Sequence, residues 1–144
     1  MQSNRLFVLY LVVGVLALGL TWLHVPVYLG EGLVQGNIQF WQDALLNANP
    51  AGLFLAVDIL FLALVANIWM VVESRRHGIP FVWAYVFVGI FVAISVAFPL
   101  FLAVREKRLT MLGQGNTGAG LTAVDRLLLG VMFVGTVGVA VWVI

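Results

Sequence analysis

The sequence predicts an all-α integral membrane protein with four transmembrane helices and a short interfacial helix between the first and the second. The chain of 144 residues is 63% hydrophobic and only 9% charged, whereas soluble domains average about 25% charged residues. Four apolar segments approach or exceed the roughly 17–25 residues that a membrane-spanning helix needs. We therefore expect a multi-pass protein of a plasma or inner membrane, folded as one domain over residues 1–144. The net charge of +1 gives no reason to expect nucleic acid.

The first predicted span covers residues 6–23 and follows a short polar head that ends at Arg5. It is longer than the core of a signal peptide, which has about 7–15 residues, and no small-residue cleavage motif follows it. We therefore interpret this segment as a retained membrane span and not as a cleaved leader.

Residues 24–49 form a long first connection whose two halves differ. The first half contains Pro26 and several glycines, so regular helix is not expected there. The second half, which reads NIQFWQDALLN, places Ile38, Trp41 and Leu45 on one helical face. Tryptophan suits the headgroup region of a bilayer. We therefore predict a short helix that lies in the interface, with Trp41 as an anchor.

The second predicted span, residues 51–72, has a start signal and a stop signal. Asn49 followed by Pro50 is typical of an N-cap with proline in the first helical turn. Gly78 and Pro80 follow the span and are expected to end the helix. These signals define the two ends of the second helix, which composition alone does not.

The third and fourth predicted spans, residues 81–104 and 127–144, carry small residues at spacings that allow close helix approach in lipid. These packing candidates are Gly89, Ala93 and Ala97 in the third span, and Gly135 and Gly138 in the fourth. Pro99 is expected to kink the third span. Thr122 and Asp125 form a capping-box pattern that opens the fourth helix.

Four spans would put the N-terminus, the second connection and the C-terminus on one side of the membrane. The cations would then be Arg5, Arg75 and Arg76 on that side, and Arg105, Lys107, Arg108 and Arg126 on the other. Three cations against four do not decide the orientation by the positive-inside rule. A cytoplasmic N-terminus is favoured only because one Arg precedes the first span and the first connection has no Lys or Arg. We expect Arg105, Lys107 and Arg108 to anchor the end of the third span at the interface.

Asp58 is the strongest candidate for a functional residue because it is the one formal charge within the second span. A carboxylate at the centre of a bilayer costs about 2.5–3.5 kcal/mol on insertion scales, so it rarely faces lipid. It could bind a proton or a ligand inside the bundle, make an oligomer contact, or form a hydrogen bond to another span. Its partners in the last case would be Thr21, Ser95 or Thr136. Trp69 lies about 20° from Asp58 in helical projection and Asn67 lies on the opposite face; both are ligand-binding candidates.

Polar residues cluster after the second span, namely Glu73, Arg75, Arg76 and His77. Arg75 and Arg76 could bind a phosphate or a lipid headgroup, although such residues more often anchor a helix end. His24 and His77 fall in connections on opposite sides of a four-span bundle. No metal site is therefore expected, and a haem held by both histidines of one chain is excluded. A single axial histidine to a pigment or haem stays open.

The stretch from residue 40 to residue 108 resembles a known family. It reads FWQDALLNANP, then VDILFLALVANIW within a span, then ESRRHGIP, then a span that closes with FPLFLAVREKRL. This pattern resembles the small bacterial membrane proteins of the domain-of-unknown-function 2834 type. It is more remotely similar to the membrane protein family implicated in neoxanthin synthesis, which implies a carotenoid or isoprenoid context. The residues that carry the likeness are Asn49, Pro50, Asp58, Arg75, Arg76, Gly78, Pro80 and Pro99.

We interpret the chain as an accessory or scaffold subunit of a larger membrane complex, which could hold a lipid, a carotenoid or a quinone-like isoprenoid. Its partners would be membrane lipids and other integral subunits, or further copies of itself. No catalytic motif is present in the sequence, and the absence of cysteine excludes thiol catalysis and disulfides. The alternative is an isoprenoid- or carotenoid-modifying enzyme, in which a neutral Asp58 acts as general acid on a double bond. A proton-coupled carrier has the least support, because the chain contains no inverted repeat.

Overall fold

The structure is a computed structural model that describes residues 2–114 and 122–143, without the side chains of residues 2–4 and 31. Within these ranges the chain is helical and contains no strand. The elements are α1 (Gln2–Trp22), a 3₁₀ turn (Pro26–Glu31), α2 (Leu33–Leu45), α3 (Pro50–His77), α4 (Val82–Val88), a π-helical segment (Gly89–Ala93), α5 (Ile94–Met111) and α6 (Ala123–Trp142). Four stretches have the length and apolarity to cross a membrane: Arg5–Trp22, Pro50–His77, Val82–Met111 and Ala123–Trp142. The prediction of an all-α chain with four helical stretches of sufficient length and apolarity to cross a membrane is therefore confirmed.

The predicted helix boundaries rest on local hydrogen bonds. The Asn49 side chain accepts a hydrogen bond from the backbone N–H of Gly52 at 2.8 Å, and so caps the start of α3. Gly78 ends α3 in the left-handed conformation, with φ of 62°. Thr122 and Asp125 form a reciprocal capping box at the start of α6. The start and stop signals found in the sequence are therefore confirmed.

The first connection is more regular than predicted. Its first half contains the 3₁₀ turn Pro26–Glu31, and α2 begins at Leu33, before the predicted start at residue 37. Gly36 makes this possible because a Cβ there would collide with the backbone carbonyl oxygen of Tyr28. The interfacial position of α2 and the anchoring role of Trp41 stay predictions.

Residues 82–111 form a helical hairpin and not one straight helix. The ring centroids of Tyr85 and Phe101 are 5.5 Å apart, whereas the same separation in sequence along a straight helix would place them about 24 Å apart. A Cβ at Gly89 would lie 3.6 Å from that of Ala97, so small residues allow the two arms to approach closely. The chain reverses at Ala93, whose backbone is extended (φ −178°, ψ 141°).

This hairpin corrects two predictions about the third apolar segment. The direction of the chain changes at Ala93, and α5 continues through Pro99, where the kink was expected. Gly89, Ala93 and Ala97 do not form one packing face for a neighbouring span. Gly89 and Ala97 face each other across the hairpin and Ala93 forms its turn, because the arms are antiparallel. The charged end of α5 consequently returns to the level of the end of α3.

α1 packs antiparallel along α5 and covers the reversal of the hairpin. Gly14 is buried against Pro99 and Leu100. Further along α1, Trp22 Nε1 donates a hydrogen bond to the backbone carbonyl of Val92 at 3.3 Å. This carbonyl directly precedes the extended residue Ala93, where helical hydrogen bonding is interrupted. The indole therefore satisfies a backbone acceptor at the turn, as apolar surroundings require.

The apolar core lies where the C-terminal half of α3 meets the hairpin. It consists of Met70, Ile79, Val82, Val86 and Phe101. Trp69 packs edge-on against Phe98 and Phe101, with centroid distances of 5.6 and 5.9 Å. The buried residues of α3 begin only at Ala66, and the described part of α6 has none. The packing roles predicted for Gly135 and Gly138 therefore stay predictions for a partner outside the described chain.

Candidate functional site

A buried ionic cluster lies where the ends of α3 and α5 meet. Glu73 is only 5% exposed. Its Oε1 accepts a hydrogen bond from Nε of Arg105 at 2.6 Å and lies 2.6 Å from Nη2 of the same guanidinium. His77 Nε2 is 3.2 Å from the same oxygen, and Arg76 Nη1 is 3.8 Å from Oε2. The carboxylate thus has one partner distant in sequence and two partners within one helical turn.

Arg105 holds this cluster together. Its Nη1 is 3.2 Å from Oε1 of Glu106, which is also buried, and its guanidinium lies over the Trp69 ring at 5.5 Å from the centroid. Tyr10 of α1 interacts electrostatically with Glu106 and Arg105. One guanidinium therefore compensates two buried carboxylates and stacks on an aromatic face, an arrangement that suits arginine and not lysine.

A second set of contacts fixes the turn between α3 and α4. Arg108 Nε donates a hydrogen bond to the backbone carbonyl of His77 at 3.0 Å, and so satisfies one of the free acceptors at the end of α3. The Ser74 hydroxyl donates to the carbonyl of Ile79 at 2.7 Å. A Cβ at Gly78 would lie 3.3 Å from Arg108 Nη2. Arg108, together with the Arg105–Glu73 pair, thus ties the end of α5 to the end of α3 at two points.

The structure does not bring Asp58 into this cluster. Asp58 lies on the N-terminal half of α3, about 22 Å along the helix from Glu73, and it is exposed. No hydrogen bond or ion pair of Asp58 is formed within the described ranges, and Thr21 instead donates to the carbonyl of Ala17. Of the readings open for Asp58, a hydrogen bond to another span of the same chain is not formed among the described residues, and the ligand and oligomer readings stay predictions. The physical reason is that the hairpin is too short to cover this half of α3.

The surface around Asp58 is shallow and apolar. Its lining residues are Pro50, Leu53, Phe54, Val57 and Phe61. Asp58 is therefore a single acid in apolar surroundings and not a member of a polar site.

The other two ligand candidates of α3 lie beside the hairpin. Trp69 is part of the aromatic core and supports Arg105. Asn67 is partly buried, and its Oδ1 is buried with no hydrogen-bond partner among the described residues. It faces Gly89, where a Cβ would lie 3.8 Å from this oxygen. Trp69 and Asn67 thus belong to the contact between α3 and the hairpin and do not join Asp58.

The predicted anchor residues divide into two groups. Arg105 and Arg108 are half-buried and tie helices together, so they are more than interface anchors. Lys107, Arg75 and Arg76 are exposed and can meet an anionic partner. All five lie at one end of the fold, whereas four straight spans would place Arg75 and Arg76 at the opposite end from Arg105.

Sequence reasoning missed the role of Glu106 and understated that of Glu73. In the sequence, each acid is simply part of a charged segment at the end of an apolar span. The available signal was the complementarity of the two segments, because each contains one glutamate and two arginines. That signal becomes informative only once the hairpin places the segments side by side.

The cluster can neutralise buried charge and hold helix ends, and its exposed cations can bind anions. Among the described residues, no three His, Asp or Glu side chains are placed to hold a metal ion. His24 is exposed and lies in the first connection, far along the sequence from His77.

Comparison with known proteins places the chain in a family. The family model described as Protein of unknown function DUF2834 matches residues 9–107. The match includes most of α1, the hairpin up to Lys107 and the ionic cluster around Glu73 and Arg105, and it leaves α6 outside. No curated protein and no solved structure matches the chain. The remote likeness to the neoxanthin-synthesis family therefore stays a prediction.

Proposed function

We propose that this chain, which belongs to the family Protein of unknown function DUF2834, is an accessory or scaffold subunit of a larger membrane complex. The observation that carries the proposal is the isolation of Asp58. It lies within an apolar helix long enough to span a membrane, it is exposed, and no described side chain pairs with it. Because a carboxylate in such a segment needs a partner, a second protein is the natural source of one.

The surfaces left uncovered support this proposal. The N-terminal half of α3 has no buried residue, and neither does the described part of α6. In lipid, helices associate through close packing of small residues and through polar contacts. The glycines of α6 and the carboxylate of Asp58 provide both features. A lipid, carotenoid or other isoprenoid would lie between the apolar surface around Asp58 and the partner helix.

The alternative of an isoprenoid-modifying enzyme has less support. A general acid that protonates a double bond has to be kept neutral by burial. Asp58 is exposed, and the residues that line the surface beside it are all apolar, so no second polar group assists it.

Photo-crosslinking in native membranes tests the proposal. A photoreactive residue replaces Leu62, which is 58% exposed and lies one turn beyond Asp58 on the same face. The matched control carries it at Val15 of α1, which is 65% exposed. We expect an adduct with a distinct protein from position 62 and only lipid adducts from position 15. Loss of the protein adduct in Asp58→Leu would link it to the carboxylate. Lipid adducts alone from both positions would refute the proposal.

A further inference from the structure

The cations of the chain gather at one end of the fold. Arg105 contacts Glu73, and Arg108 contacts the His77 carbonyl, so the end of α5 lies level with the end of α3. α1 is antiparallel to α5, which places its start at the same end. Six of the seven Lys and Arg residues of the chain therefore share this end: Arg5, Arg75, Arg76, Arg105, Lys107 and Arg108.

Burial separates the acidic residues of this end from the basic ones. Glu73 and Glu106 are buried and paired with Arg105. The exposed charges of the same end are all positive, namely Arg5, Arg75, Arg76 and Lys107. The acids consequently do not cancel the positive potential at the surface.

The connection at the opposite end has the reverse composition. Residues 24–49 contain Glu31 and Asp43 and neither Lys nor Arg. The two ends of the fold therefore differ in the sign of their charge, which the count based on four straight spans did not reveal.

The hairpin is shorter than α3 and turns back well before the start of that helix. From Arg105 to the reversal at Ala93, α5 rises about 18 Å, whereas the hydrocarbon core of a bilayer is about 30 Å thick. α3 has 28 residues and is long enough to cross, whereas the reversal lies level with Trp22 at the C-terminal end of α1. An extended backbone within the membrane is tolerated only where protein covers it, and Trp22 covers the carbonyl of Val92.

We infer that residues 82–111 are a re-entrant hairpin, which enters and leaves the membrane on the same side. The cationic end of the fold, to which the hairpin contributes Arg105, Lys107 and Arg108, then faces the cytoplasm and binds anionic lipid headgroups. The positive-inside rule gives the orientation, because every Lys and Arg of α1, α3 and the hairpin lies at this end and none lies in the first connection. Exposed Lys and Arg next to a membrane attract the anionic lipids of the cytoplasmic leaflet.

Cysteine labelling tests the hairpin. The chain has no cysteine, so Arg75→Cys, Lys107→Cys and Val34→Cys each introduce a single exposed thiol. A membrane-impermeant maleimide is applied to intact cells and to inverted vesicles. We expect positions 75 and 107 to react only in inverted vesicles, and position 34 only in intact cells. Labelling of positions 75 and 107 from opposite sides would overturn the inference.

Native mass spectrometry of the purified full chain tests the headgroup contact. The protein is exchanged into micelles that contain equal amounts of phosphatidylglycerol and phosphatidylcholine. We expect the unmodified chain to retain phosphatidylglycerol preferentially. The double variant Arg75→Gln with Lys107→Gln should lose about five-fold of this preference for each of the two cations removed. The matched variant Arg75→Lys with Lys107→Arg keeps the charge and should keep the preference. Equal retention of both lipids, or an unchanged preference in the neutral variant, would overturn the headgroup contact.

Discussion

The two halves of α3 have similar apolar sequences and opposite surroundings. From Ala66 to His77 the helix is packed against the hairpin, and Glu73 has three nitrogen-bearing partners. From Pro50 to Val65 it contains no buried residue, and Asp58 has no partner within the described chain. The difference teaches that the length of the neighbouring hairpin, and not the local sequence of α3, determines which acid is buried and paired.

The largest effect is expected from removing the paired acid. Glu73→Ala leaves the half-buried Arg105 only partly compensated, and breaking a largely buried ion pair in this way costs about 3 kcal/mol, near the lower limit for such pairs. The free energy of unfolding is measured by denaturant titration in mixed micelles. Asp58→Ala is the matched control on the same helix and should change this free energy by less than about 0.5 kcal/mol. Equal losses in the two variants would abolish the distinction between the halves of α3.

A smaller effect is expected from an apolar residue of the packed half. Met70 is 0% exposed, so Met70→Ala opens a cavity and should lower the free energy of unfolding by about 2 kcal/mol, near the lower limit for such substitutions. Leu62→Ala, on the uncovered half, removes a side chain that is 58% exposed and should have little effect in the isolated chain. A large decrease in the free energy of unfolding for Leu62→Ala in a purified monomer would show that other helices of the same chain cover this half of α3.

A still smaller effect is expected from loss of the hydrogen bond at the turn of the hairpin. Trp22→Phe keeps an aromatic ring but leaves the Val92 carbonyl without its donor, at a cost of about 1 kcal/mol. The control is Trp142→Phe in α6, since this tryptophan is 84% exposed. Unfolding in the same micelles is the readout, and a neutral Trp22→Phe would mean that another group satisfies the carbonyl.

The smallest effect on the isolated chain is expected from Asp58→Asn, within about 0.5 kcal/mol. In native membranes, the protein adduct from position 62 should persist in Asp58→Asn, because the amide still forms hydrogen bonds, and should disappear in Asp58→Leu. Loss of the adduct in both variants would show that the partner requires the carboxylate itself. Persistence in both would disconnect Asp58 from the partner.

The sequence predicted the parts of the fold that local chemistry determines. Asn49 with Pro50, Gly78, and Thr122 with Asp125 place helix ends where the structure has them, because each residue acts on its own neighbouring backbone. Composition likewise predicted four segments with the length and apolarity to cross a membrane, and the structure has four such helical stretches, the third of which folds as a hairpin.

The reversal at Ala93 could not be predicted in the same way. Residues 81–104 are apolar throughout, and neither glycine nor proline stands at the turn itself. The antiparallel arms are stabilised by contacts distant in sequence, such as that of Trp22 with Val92 and that of Arg105 with Glu73. The candidate site was missed for the same reason, since a straight third span would have placed Glu73 and Arg105 across the bilayer from each other.

The partners of Glu73 differ in when they are synthesised. Arg76 and His77 follow Glu73 within about one turn, whereas Arg105 follows 32 residues later. Chains emerge from the ribosome with the N-terminal part first, so the two local partners are available to the carboxylate before Arg105 is. The ion pair with Arg105 can therefore stabilise the reversal at Ala93 but cannot form before the reversal has been synthesised.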